Sequence, residues 1–354
     1  MTIKKTLTDA PKQKPDEAEL GFGKYFTDHM FTMEYTEGQG WHNPEIKPYA
    51  PLELDPSAMV LHYGQAVFEG LKCYRADDDR LLLFRPEMNF KRLNVSDDRL
   101  CIPHLDENIA LQALNELLLV DKDWIPSTEG TTLYIRPFVI ATEPMLGVRP
   151  SENYLFIIIL SPVGAYYKEG LSPTKIMIED EYVRAVKGGI GFTKSTANYA
   201  MSLKGQMKAK AHGYTQTLWL DGIHRKYIEE VGTSNVFFKI GGEIVTPALT
   251  GSILPGVTRD SSIQLLRSWG YTVTERDIEV GELYAAFENN TLEEAFATGT
   301  AAVVSPIGEF AWGDKKIIAG DGGIGELSKQ LYDALTGIQY GRVNDEFGWV
   351  REVE

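Results

Sequence analysis

A lysine preceded by three glycines is the pattern in this chain that most invites chemistry. The run GGIGFTKSTANYA, residues 188–200, sets Gly188, Gly189 and Gly191 ahead of Lys194, with small and polar residues behind it and then Asn198 and Tyr199. Glycines permit close backbone approach and dihedrals closed to other residues. A lysine placed there can be desolvated, lowered in pKa and used as a nucleophile or Schiff-base amine. A surface lysine after a flexible loop has the same local pattern, so the stretch alone leaves both readings open.

Other residues extend the chemistry. Glu229 and Glu230 precede a Val-Gly-Thr turn ending at Thr233, where a carboxylate at a sheet edge can point into a site or stay solvated. In LPGVT, Gly256, Val257 and Thr258 stand at a helix start, where free backbone N–H groups and a hydroxyl seat an anion or phosphate. An ordinary N-cap reads the same way. Thr298-Gly299-Thr300-Ala301-Ala302 forms a second turn of hydroxyls and amides. Neither matches a Walker P-loop or a Rossmann GxGxxG. Arg92 in FKRL and Arg136 in YIRP carry forks suited to carboxylates and phosphates, with surface ion pairs as the alternative. Tyr63, Phe68, Tyr134 and Tyr166 can line an apolar pocket, although single aromatic residues more often belong to a core. Lysine, carboxylate, two anion seats and arginines together are what a pyridoxal 5'-phosphate enzyme requires: an amine for the aldehyde, an acid for the ring nitrogen, and amides, hydroxyls and guanidinium for the phosphate.

These groups need elements to position them. LKCYR and RLLLF read as two strands around the acidic turn ADDD. Pro86 opens a helix over RPEMNFKRLNVSDDRL. Asp106 caps ENIALQALNELLLV, whose Ile109, Leu114, Leu117 and Leu118 share a face. TTLYIRPFVIA and YLFIIIL are strands. Ala197 to His212 is helix-permissive and stops at Gly213. SNVFFKIGGEIVTP is a hairpin turning at Gly241-Gly242. Thr258 is read as the cap of SSIQLLRSW. Leu327, Leu331, Leu335 and Ile338 repeat at helical spacing. Strands and helices mix without regular βαβ alternation, which argues against a simple doubly wound sheet.

The 354 residues are 43% hydrophobic, enough for a large core and about two domains. The expected division is a polar arm 1–20, poorly ordered on its own, a domain 21–162, a linker 163–174 and a domain 175–354. With 35 Lys+Arg against 50 Asp+Glu, the net charge is −15. That disfavours nucleic acid and anionic membrane surfaces as partners. Two cysteines, Cys73 and Cys101, cannot build a disulfide framework or a structural zinc site and fit a cytoplasmic location. No metal site is expected. The N-terminus lacks a signal-peptide core, and no stretch reaches the ~18 apolar residues of a membrane span.

The ordered motifs LHYGQAVFEGLK, LLLFRPEMNFKRL, LYIRPFVIATEPMLGV, SPVGAYY, GGIGFTKSTANY, EEVGTSNVFF, LPGVTRDS and FATGTAAVVSP resemble the branched-chain amino-acid aminotransferases. These are pyridoxal-phosphate enzymes of fold type IV. The resemblance covers nearly all of the chain past residue 20. It implies an α/β (α+β) enzyme with a smaller N-terminal α/β domain and a larger C-terminal domain built on a pseudo-barrel sheet. It implies that Lys194 forms the internal aldimine, Glu230 pairs with the pyridine nitrogen and Tyr199 bonds the ring hydroxyl. Arg92, Val257, Thr258 and Thr300 would hold the phosphate, with Thr233 near the ring. Tyr134, Ala301 and Ala302 would bind the substrate α-carboxylate, Arg136 the distal carboxylate of glutamate, and Phe68 and Tyr166 the apolar wall. The implied assembly is a homodimer in which Tyr63 serves the neighbouring subunit's pocket. The implied reaction is reversible ping-pong transamination between Leu, Ile or Val and 2-oxoglutarate. Mammalian relatives carry a redox CxxC where this chain has Ala302-Val303-Val304-Ser305, so no thiol switch is expected there. D-amino-acid aminotransferases and aminodeoxychorismate lyases keep the lysine and glutamate but lack the YIRP and EPMLGV context.

Overall fold

The computed structural model describes residues 1–164 and 171–354. The expected wall residue Tyr166 and part of the expected linker lie outside the described residues. The chain forms two compact units. The first takes Met1–Lys168, Thr193–Thr196 and Gly337–Glu354; the second takes Glu169–Phe192 and Ala197–Thr336.

In the first unit the strands are β1 (Lys4–Lys5), β2 (His29–Thr36), β3 (Gly40–Pro48), β4 (Ala66–Phe68), β5 (Leu71–Arg75), β6 (Leu81–Phe84), β7 (Thr132–Ala141) and β8 (Asn153–Val163). The helices are α1 (Met59–Tyr63), α2 (Pro86–Arg99) and α3 (Glu107–Val120). The sheet runs β1-β3-β2-β8-β7-β5-β6, closes on the C-terminal strand Val350–Glu352, and takes β4 against β7. Side chains alternate across a strand, so each strand feeds two faces. One face sends Leu71, Cys73, Leu133, Ile135, Phe156 and Ile158 into a core with Phe90 and Leu93 of α2 and Leu114, Leu117 and Leu118 of α3. Each fully buried leucine there contributes about 2 kcal/mol. Asp106 caps α3 as expected, accepting from the N–H groups of Asn108 and Ile109. The opposite face carries Lys72, Tyr134, Arg136, Phe138, Ile159 and Ser161, because each alternates with a core residue on its strand.

The polar arm is more ordered than its composition suggests. Lys4 and Lys5 pair in parallel with Glu45 and Ile46 of β3, and Ile3 is buried. The Lys12 ammonium bonds the Thr27 carbonyl at 2.7 Å and lies 4.3 Å from the centre of the Tyr49 ring. The edge of β3 offers unpaired backbone groups, and a polar segment can satisfy them without any apolar periodicity.

In the second unit the strands are β9 (Thr174–Glu179), β10 (Gln216–Leu220), β11 (Ile228–Val231), β12 (Asn235–Ile240), β13 (Glu243–Pro247), β14 (Val273–Arg276), β15 (Leu292–Gly299), β16 (Val303–Trp312) and β17 (Lys315–Ile318). The helices are α4 (Thr196–Ala211), α5 (Val257–Ser268), α6 (Val280–Glu288) and α7 (Glu326–Gln339). The sheet order is β11-β10-β9-β16-β15-β12-β13-β14, with β17 on β16. It curls, because Val231 of β11 exchanges backbone hydrogen bonds of 2.9 Å with Ser234, next to β12. This is the pseudo-barrel the resemblance implies. Phe238 and Phe310, with Ile176, Leu218, Val245 and Leu283, fill its core. Among the described residues no helix is long and apolar enough to cross a membrane.

Candidate active site

Lys194 is held by its backbone. Its N–H donates to the Ser96 hydroxyl at 2.9 Å, and its carbonyl accepts from the Phe68 N–H at 3.0 Å. Ser195 forms a bridge with Val67. The lysine is thereby pinned between α2 and β4, and its Nζ lies 5.1 Å from the centre of the Phe68 ring. The Arg136 guanidinium lies 4.6 Å from the same ring and donates to the Tyr134 hydroxyl at 3.2 Å. A cation near an aromatic face is stabilised by the ring quadrupole, here twice over. Lys194, Phe68, Tyr134 and Arg136 are therefore brought together. Gly70 is required for this: a Cβ there would stand 2.0 Å from the Tyr134 hydroxyl oxygen.

Two neighbours on this face escaped the sequence reading. Lys72 stands opposite Tyr134 in the β5–β7 register, and Ser161 stands opposite it from β8. Burial pulls the Lys72 ammonium down to about 8. The Ser161 hydroxyl is buried with no hydrogen-bond partner among the described residues. Phe22, which is 52% exposed, packs edge-on against Tyr134 at 5.0 Å. The aromatic-rich GFGKYF segment was a signal for Phe22. Nothing local marks Lys72, whose place depends on strand register.

Arg92 on α2 is buried and faces a carboxylate. Its Nε donates to Glu69 Oε1 at 2.8 Å and its Nη2 to Oε2 at 2.9 Å. Asn89 adds a bond of 2.8 Å to Oε2. Burial pushes the Glu69 carboxyl up, but Arg92, Lys194 and Asn89 outweigh it and hold the acid below its ordinary range. The pair fixes the guanidinium to which the resemblance gives a phosphate.

In the second unit Glu230 is buried on β11. Its Oε1 accepts from the Leu254 N–H at 2.8 Å, and its Oε2 lies 3.2 Å from Arg184 Nε. Arg184 did not stand out in the sequence. The LPGVT seat differs in one detail: α5 begins at Val257 with Gly256 as its N-cap, so Thr258 is the second helical residue and not the cap. Val257 and Thr258 are buried, and the first-turn N–H groups of such a helix lack intrahelical partners. No side chain fits at the cap, because a Gly256 Cβ would lie 2.1 Å from Asn235 Oδ1. Thr300, Ala301 and Ala302 form the half-exposed turn between β15 and β16, and the Thr298 hydroxyl beside it is buried with no partner among the described residues. Tyr199 is half-buried on α4, and Thr233 is exposed in the turn after β11. Tyr63 is exposed at the end of α1, its hydroxyl donating to the Leu146 carbonyl.

The first unit thus carries a lysine over an aromatic ring, and the second a buried acid beside an arginine and a helix start capped by glycine. The family described as Amino-transferase class IV matches residues 66–310. The chain belongs to this family. The aminotransferase is 59% identical over 352 residues to branched-chain-amino-acid aminotransferase 2 of Bacillus subtilis (strain 168), covering 99% of this chain and 97% of the relative. It is also 59% identical to branched-chain-amino-acid transaminase 1 of that strain, covering 99% of each. Its fold superposes on the crystal structure of the branched-chain amino acid aminotransferase of Escherichia coli with a TM-score of 0.77, at 28% identity over 92% of this chain and 99% of that one. A crystal structure of the T.th. branched-chain amino acid aminotransferase with pyridoxamine 5'-phosphate gives 0.75 at 26% identity, covering 91% of this chain and 98% of that one. The enzyme is thus an aminotransferase of the branched-chain type.

Proposed function

We propose that this aminotransferase uses pyridoxal 5'-phosphate to move amino groups between Leu, Ile or Val and 2-oxoglutarate in a ping-pong reaction. The observation that carries the reading is Lys194, held by Ser96 and Phe68 with its amine beside the face bearing Tyr134 and Arg136. The buried Glu230, the Gly256 cap that admits no Cβ and the Thr298 hydroxyl, which has no partner among the described residues, fit the group. When bound, pyridoxal phosphate supplies a carbonyl for the amine and a ring that draws off electrons.

The chain's residues supply the rest. Lys194 and Arg92 would hold the cofactor with Tyr199, Glu230, Thr233, Val257, Thr258 and Thr300. Glu230 keeps the ring nitrogen protonated. Lys194 Nζ accepts the substrate's α-proton and later returns one, base and then acid. The Tyr134 hydroxyl and the Ala301 and Ala302 amides take the α-carboxylate. Arg136 takes the second carboxylate of a dicarboxylic substrate, while the Phe68 ring offers apolar surface to a branched side chain. One methylene is worth about 0.8 kcal/mol, so discrimination among Leu, Ile and Val is modest. A homodimer is supported by apolar side chains left outside, Leu146 at 74% and Val148 at 87% exposure, beside the exposed Tyr63.

The test is a donor screen with the Lys194→Ala protein as control. The wild type is expected to show a visible cofactor band that borohydride bleaches, and transfer from Leu, Ile and Val. Near-normal turnover in Lys194→Ala sinks the reading.

A further inference from the structure

The register of β11 against β10 slips by one residue beside Glu230. Trp219 stands opposite Glu230 and Leu220 opposite Ile228, which leaves Glu229 as the extra residue of a β-bulge. A bulge re-aims side chains that a regular strand would send to opposite faces. Here both carboxylates reach the same short strap, Ser252 to Leu254. The Ser252 hydroxyl donates to Glu229 Oε1, and the Leu254 N–H donates to Glu230 Oε1 at 2.8 Å. Arg184 closes the ring: it donates to the Ser252 carbonyl, and its Nε lies 3.2 Å from Glu230 Oε2. The strap leads directly into Pro255 and the Gly256 cap of α5. Its Leu254 carbonyl is also held, by Asn235 Nδ2 at 2.9 Å.

We propose that Glu229 is a positioning residue for Glu230, acting through Ser252 and the strap that both carboxylates hold. The proposal rests on the reading of Glu230 as partner of the cofactor's ring nitrogen. Arg184 braces the same strap through the Ser252 carbonyl and faces Glu230 Oε2. An ionised Glu229 adds a like charge beside Glu230, and a neutral Glu229 does not.

The proton on Glu229 is in play near neutrality. Glu229 is 4% exposed, and its Oε2 has no hydrogen-bond partner among the described residues. Burial raises its carboxyl to about 7, against the pull of the Ser252 hydroxyl and Arg184, with Glu230 and Asp221 adding to the rise. The charged and titratable groups around it are Arg184 and Glu230 on the strap side. On the other side Lys187, Asp221, His224, Tyr227 and Asp277 line a cavity of about 370 Å³ that Glu229 also borders.

The experiment titrates the absorption of the cofactor-loaded enzyme from pH 6 to 8 and measures pyridoxal phosphate retention in Glu229→Gln, Glu229→Asp, Ser252→Ala and Glu230→Gln. The wild type is expected to show a spectral transition near pH 7 that is absent in Glu229→Gln and present with a displaced midpoint in Glu229→Asp. Ser252→Ala is expected to weaken retention about tenfold, the effect of one lost hydrogen bond to a charged group. A Glu229→Gln protein with the wild-type transition overturns the proposal, whatever its melting temperature. If Glu230→Gln alters spectrum and retention while Glu229→Gln does not, only the proposal falls. If Glu230→Gln also changes nothing, the reading of Glu230 falls with it.

Discussion

Arg92 and Glu69 form a buried two-pronged ion pair, Nε to Oε1 at 2.8 Å and Nη2 to Oε2 at 2.9 Å. Parallel bonds of this kind fix a guanidinium in plane and direction as well as holding it. Removing one partner leaves the other charge buried alone, which costs about 3–5 kcal/mol. Glu69→Ala is therefore expected to lose stability of that order in urea unfolding. The Glu69 carboxyl is depressed, so its contribution is present above the ordinary carboxyl range and lost as pH falls through the lower folded value. Acid should cost the wild type more stability than it costs Glu69→Gln.

Asp97 on α2 presents the opposite sign. It is fully buried, neither carboxyl oxygen has a hydrogen-bond partner among the described residues, and burial raises its pKa well above the ordinary value. The folded chain keeps this proton where the unfolded chain gives it up. Stability is therefore lost as pH rises from the ordinary carboxyl range toward the raised folded value. Asp97→Asn should melt higher than the wild type at pH 8, with a smaller gap at pH 5. An equal gap at both would show that ionisation is not the cause.

Gly256→Ala sets a Cβ 2.1 Å from Asn235 Oδ1, and Asn235 is itself tied to the Leu254 carbonyl. Overpacking of this kind costs about 1–3 kcal/mol. The variant should also release pyridoxal phosphate faster, since the start of α5 must shift. Gly281→Ala in α6 meets no atom within 4 Å and serves as the control. It should gain about 0.5–1 kcal/mol of stability from helix propensity.

Arg136 touches the Phe68 ring and the Tyr134 hydroxyl. Arg136→Ala is expected to raise the KM for 2-oxoglutarate at least ~10-fold more than that for branched 2-oxo acids, the size of one charge-assisted hydrogen bond. Steady-state kinetics with both acceptors checks this, and equal effects would remove Arg136 from the second carboxylate.

The elements legible in the sequence were those set by near neighbours. Pro86 at a helix start, Asp106 accepting from residues two and three further on, and the Gly241-Gly242 hairpin each depend on contacts within a few positions. The lysine run and the two glycine-and-threonine turns are local patterns of the same kind, and their order along the chain carried the resemblance. The misplaced cap at Thr258 shows the limit: Gly256 takes that position, where Asn235 leaves no room for a Cβ.

Only the tertiary structure decided who faces whom. Arg92 meets Glu69 across 23 residues, and Arg184 meets Glu230 across a loop, a helix and a strand. Lys72 joins Tyr134 because β5 pairs with β7 in one register, and a slip of one residue would turn it into the core. Glu229 shares a strap with Glu230 because of a bulge that no local pattern announces. Residue types and spacing establish which groups are available. Strand register and burial decide which of them lose water together, and that loss of solvent gives each charge its strength and its partner.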